Sequence, residues 1–177
     1  MPSLPAHAWF VAQVVPRSER IVGSILEHKG YQVFAPHHLS RQKWTDRVKS
    51  QEKPLFPGYV FVRTPGTNVG GLVCSTPGVM RILNFGGRPS LVPDSELDAV
   101  QRLTHLQKPL PTQYLHCGQK VAIKDGPFAG IVGNIRRIKN RACLVVSVHL
   151  ISQSIYVDVD ESQIEPVTPT SLTVEYA

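Results

Sequence analysis

The stretch Glu52-Lys-Pro-Leu-Phe-Pro-Gly-Tyr-Val-Phe-Val62 reads as a constrained turn running into a strand. Pro54 and Pro57 fix φ and withhold donors, while Gly58 opens backbone space closed to other residues. Strand side chains alternate, so Tyr59 and Phe61 share one face and Val60 and Val62 the other. The valines suit a side covered by helices. The aromatic face, with Phe56 close by, has two readings. Exposed, it is a protein-contact patch. Covered, it is a second core surface, the commoner fate of strand aromatics.

The sequence around this strand predicts its neighbours. Ala8 to Val15 is an aromatic and β-branched run closed by Pro16, hence a strand buried on both sides. Ser18 is placed to cap a helix to Lys29 with Ile21, Val22, Ile25 and Leu26 on one face and Gly30 as its stop. Tyr31 to Ala35 resumes as a strand. From Leu39 to Leu55 the pattern turns polar and basic, as in a long exposed hairpin or loop. Asn68 to Cys74 suits a short helix, followed by Pro77-Gly78 and a strand at Val79 to Leu83. Asp94 and Ser95 both suit the start of a helix to about Leu106, striped by Leu97, Val100 and Leu103. The fold class that results is α+β, an antiparallel sheet flanked by helices.

A second stretch has a different texture: Gly118-Gln-Lys-Val-Ala-Ile-Lys-Asp-Gly-Pro-Phe-Ala-Gly-Ile-Val-Gly-Asn-Ile135. Asp125-Gly126-Pro127 makes a tight turn, Phe128 caps a barrel mouth, and Gly130 and Gly133 let a bent strand pass close to its neighbour. With β-branched runs at Lys120 to Ile123, Gly130 to Ile138, Arg141 to Val148 and Ser154 to Val159, it predicts a small closed all-β barrel. No lysine sits as in a phosphate loop, so nucleotide binding is rejected.

Between the two lies Lys108-Pro-Leu-Pro-Thr-Gln113, whose prolines oppose helix and ladder pairing. The expected organisation is an N-terminal domain over 1–107, a linker over 108–114, a barrel over 115–168 and a tail over 169–177. Before the cut at Leu110 there are 13 Lys+Arg and 7 Asp+Glu, and after it 6 and 6, so the whole net charge of +6 belongs to the first part. That placement fits one half facing a polyanion, and it equally fits ordinary solubilising charge.

Composition excludes several classes. With 177 residues, 42% hydrophobic and 18% charged, the chain can bury a core. Cys74, Cys117 and Cys143 are odd in number and widely spaced, which argues against a disulfide scaffold or zinc module. Uninterrupted apolar runs reach only five residues, far short of the roughly 20 residues of a membrane span. Met1 to Trp9 lacks the pattern of a secretion signal. A soluble cytoplasmic protein is expected. His37-His38 is the only histidine pair, and no carboxylate or cysteine is spaced to join it in a metal site or triad, so no enzyme is expected.

Together the two stretches resemble the NusG family of transcription elongation factors. Trp9-Phe10-Val11, Phe56-Pro57-Gly58-Tyr59-Val60 and Pro77-Gly78-Val79 look like its N-terminal domain. Gly118 to Leu144 looks like its KOW motif, and Ser162 to Pro166 like that domain's closing segment. The resemblance implies a two-domain adaptor ending in an SH3-like KOW barrel, monomeric when free, with no cofactor, metal or membrane contact. Its N-terminal domain would dock on the clamp helices of RNA polymerase, suppressing pausing and termination. The matching positions are Phe56, Pro57, Tyr59 and Phe61.

The resemblance also gives the cations a target. Arg41, Lys43, Trp44, Arg47 and Lys49, with Arg17 and Arg20 as a second line, would contact upstream or non-template DNA. The bland reading of the same residues is a solvated loop. The KOW domain would recruit Rho or a small-subunit ribosomal protein through Leu150 and Ile151, which read equally as barrel residues. Strand propensity at Leu144 to Val148 and Ile155 to Val159 favours a permanent barrel over a refolding one. Lys53 to Val62 looks closer to specialised, RfaH-like antiterminators, although their polar threonine-rich patch has no clear counterpart in Thr67 to Leu72. The competing reading is a KOW-type RNA-binding or ribosome-associated protein.

Overall fold

A computed structural model describes residues 7–43, 48–63, 70–106, 109–113, 118–138 and 141–167. The chain divides into two compact units, 1–97 and 98–177. The first contains β1 (Trp9–Val14), α1 (Glu19–His28), β2 (Gln32–Phe34), β3 (His37–Lys43), β4 (Val48–Pro54), β5 (Tyr59–Arg63), α2 (Gly70–Cys74), β6 (Val79–Ile82), β7 (Asn84–Phe85), β8 (Arg88–Pro89) and β9 (Leu91–Val92). Helix α3 (Asp94–Leu106) begins in the first unit and continues into the second.

Strand β1 is central. The sheet runs β2-β5-β1-β6, with β9 also on β1, and every pairing is antiparallel. Phe10, Ala12 and Val14 share a face of β1 and pack with Val60 and Val62 of β5 and with Val22 and Leu26 of α1. Each such aliphatic side chain, fully buried, contributes about 1.5–3 kcal/mol. Of the apolar stripe expected on α1, Val22 and Leu26 face the core, whereas Ile21 is exposed. Ser18 does not cap the helix through its side chain: its hydroxyl donates to the Val15 carbonyl instead. The polar segment resolves as a hairpin, with β3 and β4 in unbroken register from His37 opposite Pro54 to Lys43 opposite Val48.

The second unit continues with β10 (Leu110–Gln113), β11 (Gln119–Ile123), β12 (Val132–Ile138), β13 (Arg141–Val148), β14 (Gln153–Asp158) and β15 (Ile164–Pro166). They form one antiparallel sheet in the order β10-β14-β13-β12-β11-β15. Strand β13 is its spine, buried from Ala142 to Val148. Two expectations change here. The proline segment expected as a linker supplies β10, with Pro111 opposite Ile155. Pro111 is tolerated because β10 lies at the sheet's edge, where a missing N–H breaks no inner ladder. The hydrogen-bonded path is also open among the described residues, with β10 and β15 as its ends rather than a closed ring.

Candidate interaction surface

The turn before β5 is held from three sides. Leu55 N–H donates to the Pro36 carbonyl (2.8 Å), Val14 N–H donates to the Gly58 carbonyl (2.9 Å), and Gly58 N–H donates to Oε1 of Glu19 (2.8 Å). Gly58 has φ +83°, which a side chain would oppose. Pro57 is exposed at this turn and Tyr59 partly so.

Alternation along β5 is as expected: Val60 and Val62 face the α1 core. The opposite face, however, is not an open aromatic patch. Phe61 is fully buried and Phe56 is 1% exposed, their rings meeting edge to face at 5.4 Å, with Phe34 6.0 Å from Phe61. Of the four expected polymerase-binding residues, Pro57 and Tyr59 thus reach the surface, while Phe56 and Phe61 lie beneath it. The reason is the aromatic cluster itself, which gains more from mutual burial than from exposure.

A polar row flanks Tyr59. Gln13 of β1 lies opposite Tyr59 on one side and Arg81 of β6 on the other, and Arg81 Nε donates to Gln13 Oε1 at 2.8 Å. Ala12, Val60 and Ile82, one position along each strand, face the α1 core, so Tyr59, Gln13 and Arg81 share the opposite face. Neither Gln13 nor Arg81 was anticipated. The signal was there, since Gln13 is the one polar residue of Trp9–Val14.

Arg17 is exposed with φ 72°, and Arg20 spans to Glu52 of β4 at 2.9 Å, bracing α1 against the hairpin at the surface. Such an exposed pair is worth about 0–1 kcal/mol. Arg41 sits opposite Ser50, Lys43 opposite Val48 and Lys49 opposite Gln42 in the hairpin register. Trp44 and Arg47 lie outside the described residues.

In the second unit, Gly126 and Gly130 have φ +85° and +81° and bracket a turn in which Pro127 is exposed and Phe128 buried. Arg102 on α3 donates to the Ala129 carbonyl at 2.7 Å. A Cβ on Gly133 would lie 2.6 Å from the Val145 carbonyl oxygen, so β12 and β13 touch backbone to side there. Leu150 is half-buried and Ile151 buried in the one-turn helix between β13 and β14. Ile151 therefore packs inward, and only Leu150 of the expected partner-binding pair is reachable. Among the described residues no cluster of His, Cys, Asp or Glu could hold a metal ion, and no helix is long and apolar enough to cross a membrane.

Residues 7–101 match the family described as NusG, transcription termination factor nusG. The chain is 31% identical over 180 residues to the transcription termination/antitermination protein NusG of Escherichia coli K12, covering 93% of this chain and 99% of that one. It is 29% identical to the Vibrio cholerae protein of that name, covering 93% and 98%. The structure of Thermotoga maritima NusG, solved in a study of domain interaction, superposes with a TM-score of 0.54 at 23% identity, over 91% of this chain and 97% of that one. With the family profile matching more than half its length and relatives aligned nearly end to end, this chain belongs to the NusG family of transcription termination/antitermination proteins.

Proposed function

We propose that this chain is a transcription elongation and antitermination factor that binds RNA polymerase through the turn at Pro57 and the row Tyr59–Gln13–Arg81. The observation that carries the reading is that rigidly held row. Tyr59 presents a half-exposed aromatic and Arg81 a guanidinium oriented by Gln13, on a sheet that α1 backs from the other side. An aromatic beside an arginine is the usual composition of an energetic centre in a protein interface. Phe56 and Phe61, buried edge to face, belong to the same turn and strand as Tyr59. The β3–β4 hairpin, with Arg41, Lys43, Trp44, Arg47 and Lys49, would lie along the displaced or upstream DNA and add a salt-sensitive contact. The second unit would recruit a further factor, such as Rho or a small-subunit ribosomal protein, with Leu150 as its reachable apolar group. Neither role requires catalysis.

The test is a pulldown of core RNA polymerase with the full chain, with Tyr59→Ala and with Arg81→Glu, each checked for an unchanged unfolding midpoint. Both variants should retain the fold and lose most of the captured polymerase. Equal capture by parent and variants would refute docking through this row. Transcription through a pause and a Rho-dependent terminator then reads the consequence: the parent shortens the pause, and Tyr59→Ala does not.

A further inference from the structure

The second unit carries an open groove of about 350 Å³ whose floor includes Val121, Ile135, Ala142 and Ile164. The register puts these four on one face of the sheet. Ile135 lies opposite Gln119, which shares a face with Val121 and Ile123, while Ile164 lies opposite Ile123 and Ala142 opposite Arg137, two along from Ile135. Val121 and Ala142 are buried, whereas Ile135 and Ile164 are only half-buried, so apolar surface is left open there. The groove is remote from Leu150. It lies at the start of β13, by Ala142, and that strand runs on to Val148 before the one-turn helix His149–Ile151 begins.

Three observations bear on what covers it. The first is size: at the low end of the roughly 300–1,000 Å³ of small-ligand sites, the groove admits a few side chains and no helix. The second is where the chain goes. Pro166 lines the groove, and Val167 N–H donates to the carbonyl of Lys120, next to Gln119, which lines it too. Strand β15 therefore delivers the chain to the rim. The sequence continues Thr168-Pro-Thr-Ser-Leu-Thr-Val-Glu-Tyr-Ala177, outside the described residues, and the five steps from Val167 to Leu172 extend to roughly 17 Å. The third is charge. Arg136 and Arg137 line the groove; Arg137 is paired with Glu161 at 2.7 Å, and Arg136 has no ion pair among the described residues. The segment 168–177 holds one acid, Glu175, and no lysine or arginine.

We propose that this groove is a docking site for the chain's own segment 168–177, with Leu172 and Val174 seated on Val121, Ile135, Ala142 and Ile164. Alternation in an extended segment puts Leu172 and Val174 on one side and Thr173 and Glu175 on the other, so the apolar pair meets the floor while the acid stays near the arginine rim. The occupant is tethered beside its site, which raises its effective concentration over any free peptide. One end of the sheet is thereby sealed by the chain itself, and the end that carries Leu150 stays open. The proposal does not depend on docking to polymerase, because it concerns the free protein alone.

The experiment is NMR on the full chain with labelled Ile, Leu and Val methyls, beside a full-length variant carrying Leu172→Asp and Val174→Asp. The parent should show nuclear Overhauser contacts from the Leu172 and Val174 methyls to those of Ile135 and Ile164, unchanged across a dilution series. In the variant those contacts vanish and the Val121, Ile135 and Ile164 methyls shift, while Val148 and Ile151, toward the Leu150 end, keep their positions. The Val167 amide, bonded to Lys120 at the rim, should exchange roughly 5- to 30-fold faster in the variant. Both substitutions lie beyond β15, the last strand among the described residues, so the sheet keeps its residues. The proposal is overturned if the parent shows no such contacts, or if the variant leaves the groove methyls and the Val167 exchange as they were. Contacts that fade on dilution also overturn it, since they assign the groove to a second copy of the chain.

Discussion

The carboxylate of Glu19, in the first turn of α1, accepts a hydrogen bond from the backbone N–H of Gly58 at 2.8 Å while its residue is 2% exposed. The same glycine's carbonyl accepts from Val14 N–H at 2.9 Å. One residue of the turn is thus tied to both the helix and the central strand. The direction in which Pro57 and Tyr59 face follows from where α1 starts, 39 residues earlier in the chain.

Replacing Glu19 with alanine removes the acceptor and leaves the Gly58 N–H without its partner in a part-buried place, which costs about 1–3 kcal/mol. Glu19→Gln keeps an acceptor oxygen and should lose less. Urea unfolding checks this: the midpoint falls for Glu19→Ala at constant slope, and Glu19→Gln lies between the two. Equal midpoints for parent and Glu19→Ala would mean that the bond contributes nothing net. Polymerase capture by Glu19→Ala should fall as well, through disorder of the turn rather than loss of a contact.

The base of the β3–β4 hairpin carries a pH dependence. His38 lies opposite Lys53, and its Nδ1 is buried with no hydrogen-bond partner. Burial first, then the charges of Lys53 and His37, hold its pKa below the ordinary value. A depressed histidine favours the neutral ring in the fold, so its stabilisation is present above about pH 6.5 and is lost as pH falls through the lowered pKa. Proton NMR titration of the His38 ring should give a midpoint below that of a free histidine. In Lys53→Gln it should move upward, and an unmoved midpoint would remove Lys53 from the account.

Much of the first unit was legible because its signals are local. The alternation in Trp9–Val14 and Tyr59–Arg63, Gly30 after α1 and Pro77-Gly78 before β6 each act within a few residues. What was missed depends on partners distant in sequence. Strand β9 is only Leu91–Val92 and exists because Trp9 and Phe10 lie alongside it. Strand β10 contains Pro111, whose propensity opposes a strand, and it forms because β14 offers an edge. The site shows the same division. Tyr59 was legible from parity, but its neighbours Gln13 and Arg81 come together only through the register of β1 with β5 and β6. The burial of Phe61 beside Phe56 and Phe34 likewise follows from a ring cluster whose members come from separate parts of the chain.

Gly133 and Gly130 separate two reasons for glycine. At Gly133 an added Cβ would lie 2.6 Å from the Val145 carbonyl oxygen and 2.9 Å from Leu144 Cδ1, so Gly133→Ala must push β12 off β13. Overpacking of this kind costs about 1–3 kcal/mol. Gly130 has open space but φ +81°, so Gly130→Ala costs about 1–2 kcal/mol through backbone conformation alone. Amide hydrogen exchange distinguishes them. Gly133→Ala should speed exchange along the β12–β13 ladder, from Asn134 opposite Val145 to Ile138 opposite Arg141, whereas Gly130→Ala should affect the turn and leave that ladder protected.

Cys143 and Cys74 should differ sharply in reactivity. Cys143 is 1% exposed, and its thiol donates to Oδ1 of Asp158 at 3.3 Å, directly across β13 and β14. Burial first, then the hydrogen bond and charge of Asp158, push its pKa up, which keeps the thiol protonated and unreactive. Cys74 is exposed on α2. Iodoacetamide followed by peptide mass mapping should modify Cys74 in the folded chain and Cys143 only after denaturation. A raised thiol pKa also carries a sign: its stabilisation is complete below the unfolded thiol's pKa of about 8.5 and is lost as pH rises through the folded value. Urea midpoints measured between about pH 8 and 9.5 should therefore decline more steeply for the parent than for Cys143→Ala. Equal slopes would show that the thiol does not ionise on unfolding in that window.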